Sequence, residues 1–392
     1  MTRALLAWEG GAGRGHLLHL RAVAEALGGR FAFDAALCRM EHAAEIAPVC
    51  DVVVQGAALY DREPRRRGPG AVGAATWGEF MGDMGFGDAE VLRVQIGWWI
   101  EAMKARRAEL VVADFAPCAQ LAARALGLPV IVTGVGYAVP PPDLDAFPVF
   151  LTDRTARLHD EAAMVAAVNA AGAAFGLAPI DRLAAVYRAD VALARTLPML
   201  DPYDGLRAEP PLPPLADVPD APSAGEGDEV FAYFSTTERN DPALMEAICD
   251  LGAPVRLFLP GADDALAAQL EARGVLVERA PVPVDLIARR SRLALHAGQH
   301  GALCMALACG LPQAAAPQHL EQLYHARRAQ EAGVLTLLPR GERDPAALRA
   351  ILRAALADED AAKRARALAH ELRPLFGDAR AAIRSRLSTL RG

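Results

Sequence analysis

The chain has 392 residues, of which 53% are hydrophobic and 23% are charged, and its formal net charge is -7. This length predicts two domains of about 150 to 200 residues each. The apolar content excludes wholesale disorder, collagen-like repetition and a small disulfide scaffold. The acidic balance argues against nucleic acid as the main partner.

The six cysteines are scattered and form no Cys-x-x-Cys pair, which predicts a reducing compartment and no zinc or iron–sulfur framework. No run of about 20 uncharged apolar residues occurs, so we expect no membrane-spanning helix. The apolar run that follows Met1-Thr2-Arg3 is too short for a signal peptide. These features together predict a cytoplasmic protein.

The first half of the chain alternates short apolar runs with helical patterns. The apolar runs predict strands at residues 4–8, 31–37, 51–54, 110–114 and 130–132. The helical patterns predict one helix at residues 16–27 and another that follows residue 114 and ends by residue 127. Apolar strands that alternate with helices indicate parallel βαβ units covered on both faces.

The pattern stops between Leu206 and Glu229, where a proline-rich stretch predicts an interdomain linker. It then restarts, with strands predicted at residues 230–234, 255–259, 276–278, 293–296 and 313–316, and helices from about residues 242, 263, 284 and 301. A last amphipathic helix is predicted at residues 375–390.

This alternation predicts two α/β domains of similar size. The predicted boundaries are an N-terminal domain at 1–208, a linker at 209–228, a second domain at 229–373 and a helical segment at 374–392. The sequence does not give the docking site of that last segment, for which the N-terminal domain is one candidate.

The glycine-rich loop at residues 10–15 lies between a predicted strand and a predicted helix, and His16 begins that helix. Such a turn lets a ligand approach the backbone. Histidine is also the side chain best suited to proton transfer near neutral pH. The loop completes neither Gly-x-Gly-x-x-Gly nor a P-loop, and taken alone His16 is better explained as a helix cap than as a base.

Asp114 ends a predicted strand, at the edge where open α/β sheets bind ligands. It could orient an imidazole, as in a base–orienter pair. It could also cap the helix that follows. The two roles are compatible, and taken singly the cap is favoured.

The most informative stretch runs from His296 to Gln322. A strand leads into His296, a loop of small residues follows, and a helix begins near Gly301. This order predicts backbone N–H groups and a positive helix end where a diphosphate could bind. Zinc held by His296, His300 and His319 is the weaker alternative, since no carboxylate or cysteine stands at the usual ligand spacing.

The stretch at residues 296–322 resembles the donor-binding signature of GT-B nucleotide-sugar glycosyltransferases, such as those of bacterial macrolide and natural-product synthesis. In that family a His-Gly-Gly-like loop leads through an Ala-Leu helix and Gly-x-Pro to an Asp/Glu-Gln pair. Gly15-His16 is similar to the family's acceptor-side Gly-His motif. Asp114 with the Leu-Gly-Leu-Pro segment at 126–129 resembles its strand-end aspartate.

The resemblance implies an α/β protein of the GT-B fold, with two Rossmann-like domains whose parallel sheets face each other across a cleft. It also implies an inverting, metal-independent glycosyltransferase of the hexosyltransferase type that needs no cofactor. This enzyme would move a sugar from a UDP- or dTDP-type donor to a small, hydrophobic acceptor. His16 is implied as the general base and Asp114 as the residue that orients it. The implied donor-binding residues are Ser235, Thr236, Val282, His296, Gly298, Gln299, His300, Gly301, Glu321 and Gln322. The resemblance implies that His296 and the backbone at 298–301 hold the diphosphate, that Glu321 and Gln322 bind the sugar, and that the segment containing Val282 holds the nucleotide base.

Aromatic residues make up only 6% of the chain, yet they concentrate with methionine between residues 60 and 100. This concentration predicts one side of an apolar cleft that binds the acceptor. The residues predicted to line that side are Trp77, Phe80, Met84 and Phe86. Ordinary packing of a long helix explains the same pattern equally well.

Three positions depart from the family pattern. His19 stands where many relatives have proline, Ala302 where a phosphate-binding Thr or Ser is common, and Met305 near the position of a ribose-binding glutamate. They leave open a non-catalytic helper or binding protein that retains the fold. A nucleotide-sugar epimerase is a further alternative, but it would need carboxylates arranged for sugar C2 chemistry. The sequence predicts neither the sugar, the acceptor nor the oligomeric state.

Overall fold

The computed structural model describes residues 2–11, 13–59, 74–151, 157–234, 241–342 and 344–388. The chain divides into two compact units. The first comprises residues 1–213 together with 378–392, and the second comprises residues 214–377. The boundary lies within the proline-rich stretch, where consecutive prolines cannot continue a regular element.

The first unit is built on a six-stranded sheet in which neighbouring strands are parallel. Its strands are β1 (Thr2–Trp8), β2 (Phe31–Leu37), β3 (Val52–Gln55), β4 (Leu110–Asp114), β5 (Val130–Val135) and β6 (Val191–Arg195). They lie side by side in the order β3-β2-β1-β4-β5-β6. The helices described between them are α1 (Gly15–Leu27), α2 (Trp77–Asp83), α3 (Ala89–Arg106), α4 (Pro117–Ala125) and α5 (Glu161–Ala173).

The second unit repeats this plan with a second six-stranded parallel sheet. Its strands are β7 (Glu229–Tyr233), β8 (Val255–Phe258), β9 (Leu276–Glu278), β10 (Ser291–His296), β11 (Gln313–Ala315) and β12 (Leu335–Leu337), in the order β12-β11-β10-β7-β8-β9. Its helices are α6 (Pro242–Cys249), α7 (Asp264–Glu271), α8 (Val284–Arg290), α9 (His300–Cys309), α10 (Leu320–Glu331), α11 (Pro345–Ala357) and α12 (Glu359–Leu372).

A final helix, α13 (Ala379–Leu387), packs on α1 in the first unit. An ion pair between Arg380 and Glu25 joins the two helices. The helix begins four residues later than the predicted residue 375, because the chain first forms a separate 3₁₀ turn at Arg373–Leu375. Asp378 then caps α13 by accepting a hydrogen bond from the Ala381 N–H group at 2.9 Å.

The central strands of the first sheet are covered on both faces, which explains why they are continuous apolar runs. All five residues of β4 are buried, and so are all six of β5. A strand exposed to water on one face would instead alternate apolar and polar residues. The predicted α/β class with two parallel-sheet domains is confirmed.

Each sheet reverses its strand order at its centre, between β1 and β4 in the first unit and between β7 and β10 in the second. In open α/β sheets ligands bind at the carboxyl ends of the strands at such a reversal. The glycine loop and Asp114 follow β1 and end β4, so they lie at this point. In the second unit Ser235 and Thr236 follow β7 in the sequence and lie outside the described residues, and the loop after β10 contains Gly298.

Candidate active site

His16 and Asp114 come together at the centre of the first sheet. β1 and β4 are neighbours with Trp8 opposite Asp114, and α1 begins one residue before His16. The His16 Nδ1 atom lies 2.6 Å from Asp114 Oδ1. The His16 side chain is 15% exposed and that of Asp114 is 1% exposed. The imidazole is therefore accessible, and the carboxylate lies behind it.

A second imidazole binds the same carboxylate. His19 lies three residues after His16 on α1, a spacing that places both rings on one face of the helix. Its Nδ1 atom is 3.0 Å from Asp114 Oδ2. Each oxygen of Asp114 therefore contacts one histidine.

The ionisation of Asp114 fixes the tautomers of both rings. Burial alone would raise the pKa of Asp114, but the charge of His16 and the hydrogen bonds from His16 and His19 outweigh it and lower the pKa to about 2. An ionised carboxylate only accepts hydrogen bonds, so the Nδ1 atom carries the proton in each ring. The lone pair of His16 then lies on Nε2, which is the state that a general base requires.

The backbone around His16 is held close to the ring. Gly11 has a φ of +85°, and a Cβ at this position would lie 2.6 Å from His16 Nε2. Phe115, directly after Asp114, has a φ of +44°, which is unusual for a residue with a side chain. Such strain is found mainly at functional sites.

Aromatic rings extend from His16 along one side of the site. Trp8 stacks on the His16 ring at a centroid distance of 5.1 Å, and the Phe115 ring lies 6.2 Å from it. Phe115 in turn contacts Trp77 at 5.3 Å and Phe80 at 5.8 Å. These four aromatic residues, which we call the aromatic wall, give the surroundings of His16 an apolar character.

The four residues predicted to contact the acceptor differ in their surroundings. Trp77 is buried, and its Nε1–H donates a hydrogen bond to the Tyr187 hydroxyl at 2.7 Å. Met84 and Phe86 are also buried in the core of the unit. Phe80 is only half-buried, so of these four it presents the most ring surface beside Phe115.

Glu9, between β1 and the glycine loop, is a buried carboxyl at the start of α4. Its Oε2 atom accepts a hydrogen bond from the Cys118 N–H group at 2.8 Å. The N-cap residue of α4 is Ala116, which has no polar side chain, so Glu9 supplies the cap from another element. Burial raises the pKa of Glu9 to about 8 and outweighs the opposing effect of this hydrogen bond.

Replacing Glu9 with glutamine is expected to stabilise the protein increasingly as the pH rises from about 4.5 to about 8. The pKa of Glu9 is higher in the folded chain than its ordinary value of 4.5, so its contribution to stability is complete below 4.5 and is lost as the pH rises through about 8. Glutamine keeps the shape of the side chain but cannot ionise. Urea unfolding of both proteins at pH 5 and pH 8.5 measures the effect. An equal difference in the free energy of unfolding at both pH values would contradict it.

His296, in the second unit, uses both ring nitrogens within its own loop. Its Nε2–H donates to Gln313 Oε1 at 2.8 Å, and its Nδ1 accepts from the Gly298 N–H at 2.8 Å. Burial lowers the pKa of His296 to about 4, so the ring is neutral. The ring in this geometry fixes the turn after β10, and a ligand at the loop would contact the backbone.

The turn after β10 packs tightly against the start of α10. Gly298 has a φ of +86°, and a Cβ there would lie 2.6 Å from the carbonyl oxygen of Gln322. The Gln322 side chain caps its own helix, because its Oε1 accepts from the N–H of the N-cap residue His319 at 3.3 Å and from the Gln318 N–H at 2.7 Å. The neighbouring Glu321 side chain is 32% exposed. Of this predicted sugar-binding pair, Glu321 is therefore the more accessible.

The first turn of α9 follows the same loop. Gln299 is its N-cap, but the Gln299 side chain turns back and accepts from the Ala297 N–H at 2.9 Å. Gly301 is exposed at the start of the helix. The His300 ring points inward, 3.7 Å from Cys304 Sγ and 5.0 Å from the His325 ring centre.

Val282, predicted to lie near the nucleotide base, packs with Tyr233 and Met305 against the core of the second unit.

Among the described residues, no three His, Cys, Asp or Glu side chains are grouped as metal ligands would be. None of the described helices is long and apolar enough to cross a membrane.

Several solved structures align with this chain over its whole length. SpnG, a spinosyn rhamnosyltransferase, aligns with a TM-score of 0.66 and 19% identity over 99% of this chain and 100% of its own. CalG4, the calicheamicin glycosyltransferase, aligns with a TM-score of 0.65 and 18% identity over 100% of both chains. SnogD, a glycosyltransferase from Streptomyces nogalater, aligns with a TM-score of 0.58 and 19% identity over 99% of both chains. The chain has the GT-B fold.

The GT-B fold that the motifs implied is thus confirmed by structural likeness. No family model matches the sequence, and no curated protein matches it. SpnG has also been solved in complex with thymidine diphosphate and, separately, with the spinosyn aglycone. At 18–19% identity these alignments show the fold, and the function of this GT-B chain is inferred from its site.

Three residues around the His16–Asp114 pair have no role that the sequence motifs assign. The spacing of His19 from His16 indicates a shared helix face, but the motifs mark it only as a departure from the family. Phe115 contacts the His16 ring and the charge of Arg195 acts on Asp114, and neither residue belongs to a motif. A positive φ at Phe115 leaves no signal in the sequence, and the position of Arg195 depends on a strand that was not predicted.

Proposed function

We propose that the chain is an inverting, metal-independent glycosyltransferase that moves a sugar from a nucleotide sugar to a small, hydrophobic acceptor. The proposal depends on one observation, the His16–Asp114 pair at 2.6 Å, which lies at the reversal of the first sheet beside the aromatic wall. The complexes of SpnG with thymidine diphosphate and with an aglycone support the two substrate classes.

In the proposed reaction the acceptor hydroxyl loses its proton to His16 Nε2 while its oxygen attacks the anomeric carbon. The bond between that carbon and the diphosphate oxygen breaks, and its electron pair leaves with the diphosphate. Attack from the face opposite the leaving group inverts the anomeric centre. Asp114 stays ionised and stabilises the imidazolium that forms.

For the second unit we propose donor binding at the loop after β10 and the start of α9. The positive end of a helix and its first N–H groups favour a diphosphate. They would stabilise the charge that develops as the diphosphate leaves. In this proposal Gly298, Gln299, His300 and Gly301 supply the backbone, and His296 fixes the turn. Glu321 binds the sugar, and Gln322 positions the start of α10.

The donor is proposed to be a UDP- or dTDP-hexose. Ser235 and Thr236, which follow β7 in the sequence and lie outside the described residues, are proposed to contact its phosphates. Val282 is proposed to lie beside its base. The acceptor is proposed to pack against the aromatic wall through Phe80, because the other three residues of the wall are buried.

Thermal unfolding with UDP, dTDP, GDP and ADP tests the donor half of this proposal. A ligand at 100 times its Kd stabilises the folded protein by about 2.7 kcal/mol. That corresponds to a rise in Tm of about 5 to 10 °C for a unit of this size. UDP or dTDP is expected to give this rise. No rise with any nucleoside diphosphate would contradict a donor site.

Gly298→Ala and Gly274→Ala form a matched pair for this measurement. Both glycines have a positive φ, but a Cβ at Gly298 would clash with Gln322, whereas a Cβ at Gly274 meets nothing within 4 Å. Gly298→Ala should lose the nucleotide-dependent rise, and Gly274→Ala should keep it. Equal rises in the two variants would exclude the loop after β10 as the donor site.

A further inference from the structure

Asp114 holds a second histidine for which the proposed transfer has no chemical step. Its Oδ1 contacts His16 Nδ1 at 2.6 Å, and its Oδ2 contacts His19 Nδ1 at 3.0 Å. The terminal torsion of an aspartate is broad, so a carboxylate with one partner can rotate. Here a partner on each oxygen restricts that rotation.

Arg195 approaches the same group from β6. It is the last residue of that strand, paired with Val135 of β5, and it is completely buried. None of its three guanidinium nitrogens has a hydrogen-bond partner among the residues that the structure describes. A buried charge of this kind needs a compensating charge. The carboxylate that acts on it electrostatically is Asp114.

The protonation states around Asp114 follow from these contacts. Burial, together with the positive charge of Arg195, lowers the pKa of His19 to about 4 and outweighs the hydrogen bond and the charge of Asp114, which raise it. Burial lowers the pKa of Arg195 only to about 10, so it remains charged. At neutral pH His19 is therefore an uncharged donor, and the charges of Asp114 and Arg195 compensate each other.

We propose that His19 is a positioning residue for His16. By donating its Nδ1 proton to Oδ2, it fixes the rotation of the Asp114 carboxylate and keeps Oδ1 aligned with the Nδ1–H of His16. Arg195 supports this arrangement, because its charge adds to the effect of burial in keeping His19 neutral, which leaves the accepting role to His16. The inference rests on the proposed function of His16 as the base.

His19→Asn and His19→Leu test the proposal as a matched pair. The asparagine amide nitrogen reaches about the same place as His Nδ1, whereas leucine fills a similar volume without a donor. His19→Leu is expected to lower kcat about 10- to 100-fold, because a misaligned catalytic group reacts slowly. The KM for the nucleotide sugar should stay within about twofold, since the proposed donor site is built from other residues. His19→Asn should stay within about threefold of the wild-type kcat.

Proton NMR of ¹⁵N-histidine-labelled protein without substrates supplies a readout that does not depend on turnover. A hydrogen bond as short as 2.6 Å to an ionised acceptor should give a strongly downfield Nδ1 proton for His16. This signal should persist in His19→Asn and be shifted or broadened in His19→Leu. His19→Met replaces the leucine variant if the latter does not fold.

These experiments distinguish a failure of the positioning role of His19 from a failure of the proposed glycosyltransferase function. An unchanged His16 signal and unchanged kcat in His19→Leu would overturn the positioning role. Equal losses in the asparagine and leucine variants would also overturn it, because they would reveal a packing role only. If the wild type transfers no sugar but the NMR signals respond as expected, the positioning role holds and the proposed function fails.

Discussion

Replacing His16 with alanine is expected to lower kcat for sugar transfer by about 1,000-fold, within the range of about 10²- to 10⁴-fold that general-base catalysis contributes. Alanine removes the Nε2 atom that would take the acceptor proton and leaves Asp114 without its exposed partner. Nucleotide binding should remain unchanged, because the proposed donor site lies in the other unit.

Steady-state kinetics and nucleotide-dependent Tm, measured on the same preparation, test this expectation. His370→Ala is the matched control, since it removes an exposed histidine on α12. It should retain full activity. A His16→Ala protein that transfers sugar at the wild-type rate would exclude His16 as the base.

Replacing Asp114 with asparagine is expected to reduce kcat by a similar factor, about 10³-fold or more. The amide can donate a hydrogen bond to an imidazole, and it then favours the tautomer in which Nδ1 carries the lone pair. His16 Nε2 would hold the proton in that tautomer and could not accept another. The shape of the site should change little, so the KM for the nucleotide sugar should be nearly unchanged.

The same substitution should also destabilise the protein, because the buried charge of Arg195 loses its compensating carboxylate. The pKa of Asp114 in the folded chain, about 2, is below its ordinary value of 3.8. Its stabilising contribution is therefore complete above pH 3.8 and is lost as the pH falls through 2. Urea unfolding between pH 2 and pH 6 should show the wild-type advantage shrinking at low pH. A constant advantage over this range would contradict the assigned ionisation of Asp114.

The fold was largely predictable because its strands are buried on both faces. The run Leu110–Asp114 is apolar until its last residue, and the predicted strand has the observed bounds. Strands β6 and β12 were not predicted. β12 has only three residues, and the alternate alanines of β6 resemble helical sequence as much as strand.

The candidate site was predictable only as a set of residues at the ends of strands. A strand that ends in Asp114 and a loop that leads into the helix with His16 indicate one edge of a sheet, and the structure places the two side chains 2.6 Å apart. The part played by Arg195 depends on long-range contact between strands. No local pattern in the sequence contains that information.

The second unit shows a different limit of sequence-based prediction. His296 was expected to face a diphosphate, but its ring bonds to Gln313, 17 residues later in the chain, and to the Gly298 N–H. Gln322 was expected to face a sugar, and its side chain caps α10. A motif identifies such residues without showing where their polar atoms point, because nearby backbone groups compete for the same hydrogen bonds.

The anomeric configuration of the product tests the central claim most directly. Wild-type protein would be incubated with UDP-α-glucose or dTDP-α-glucose and a panel of hydrophobic aglycones, and the glucoside would be examined by NMR of its anomeric proton. Single displacement assisted by His16 predicts a β-glucoside. An α-glucoside, which keeps the configuration of the donor, would contradict the account.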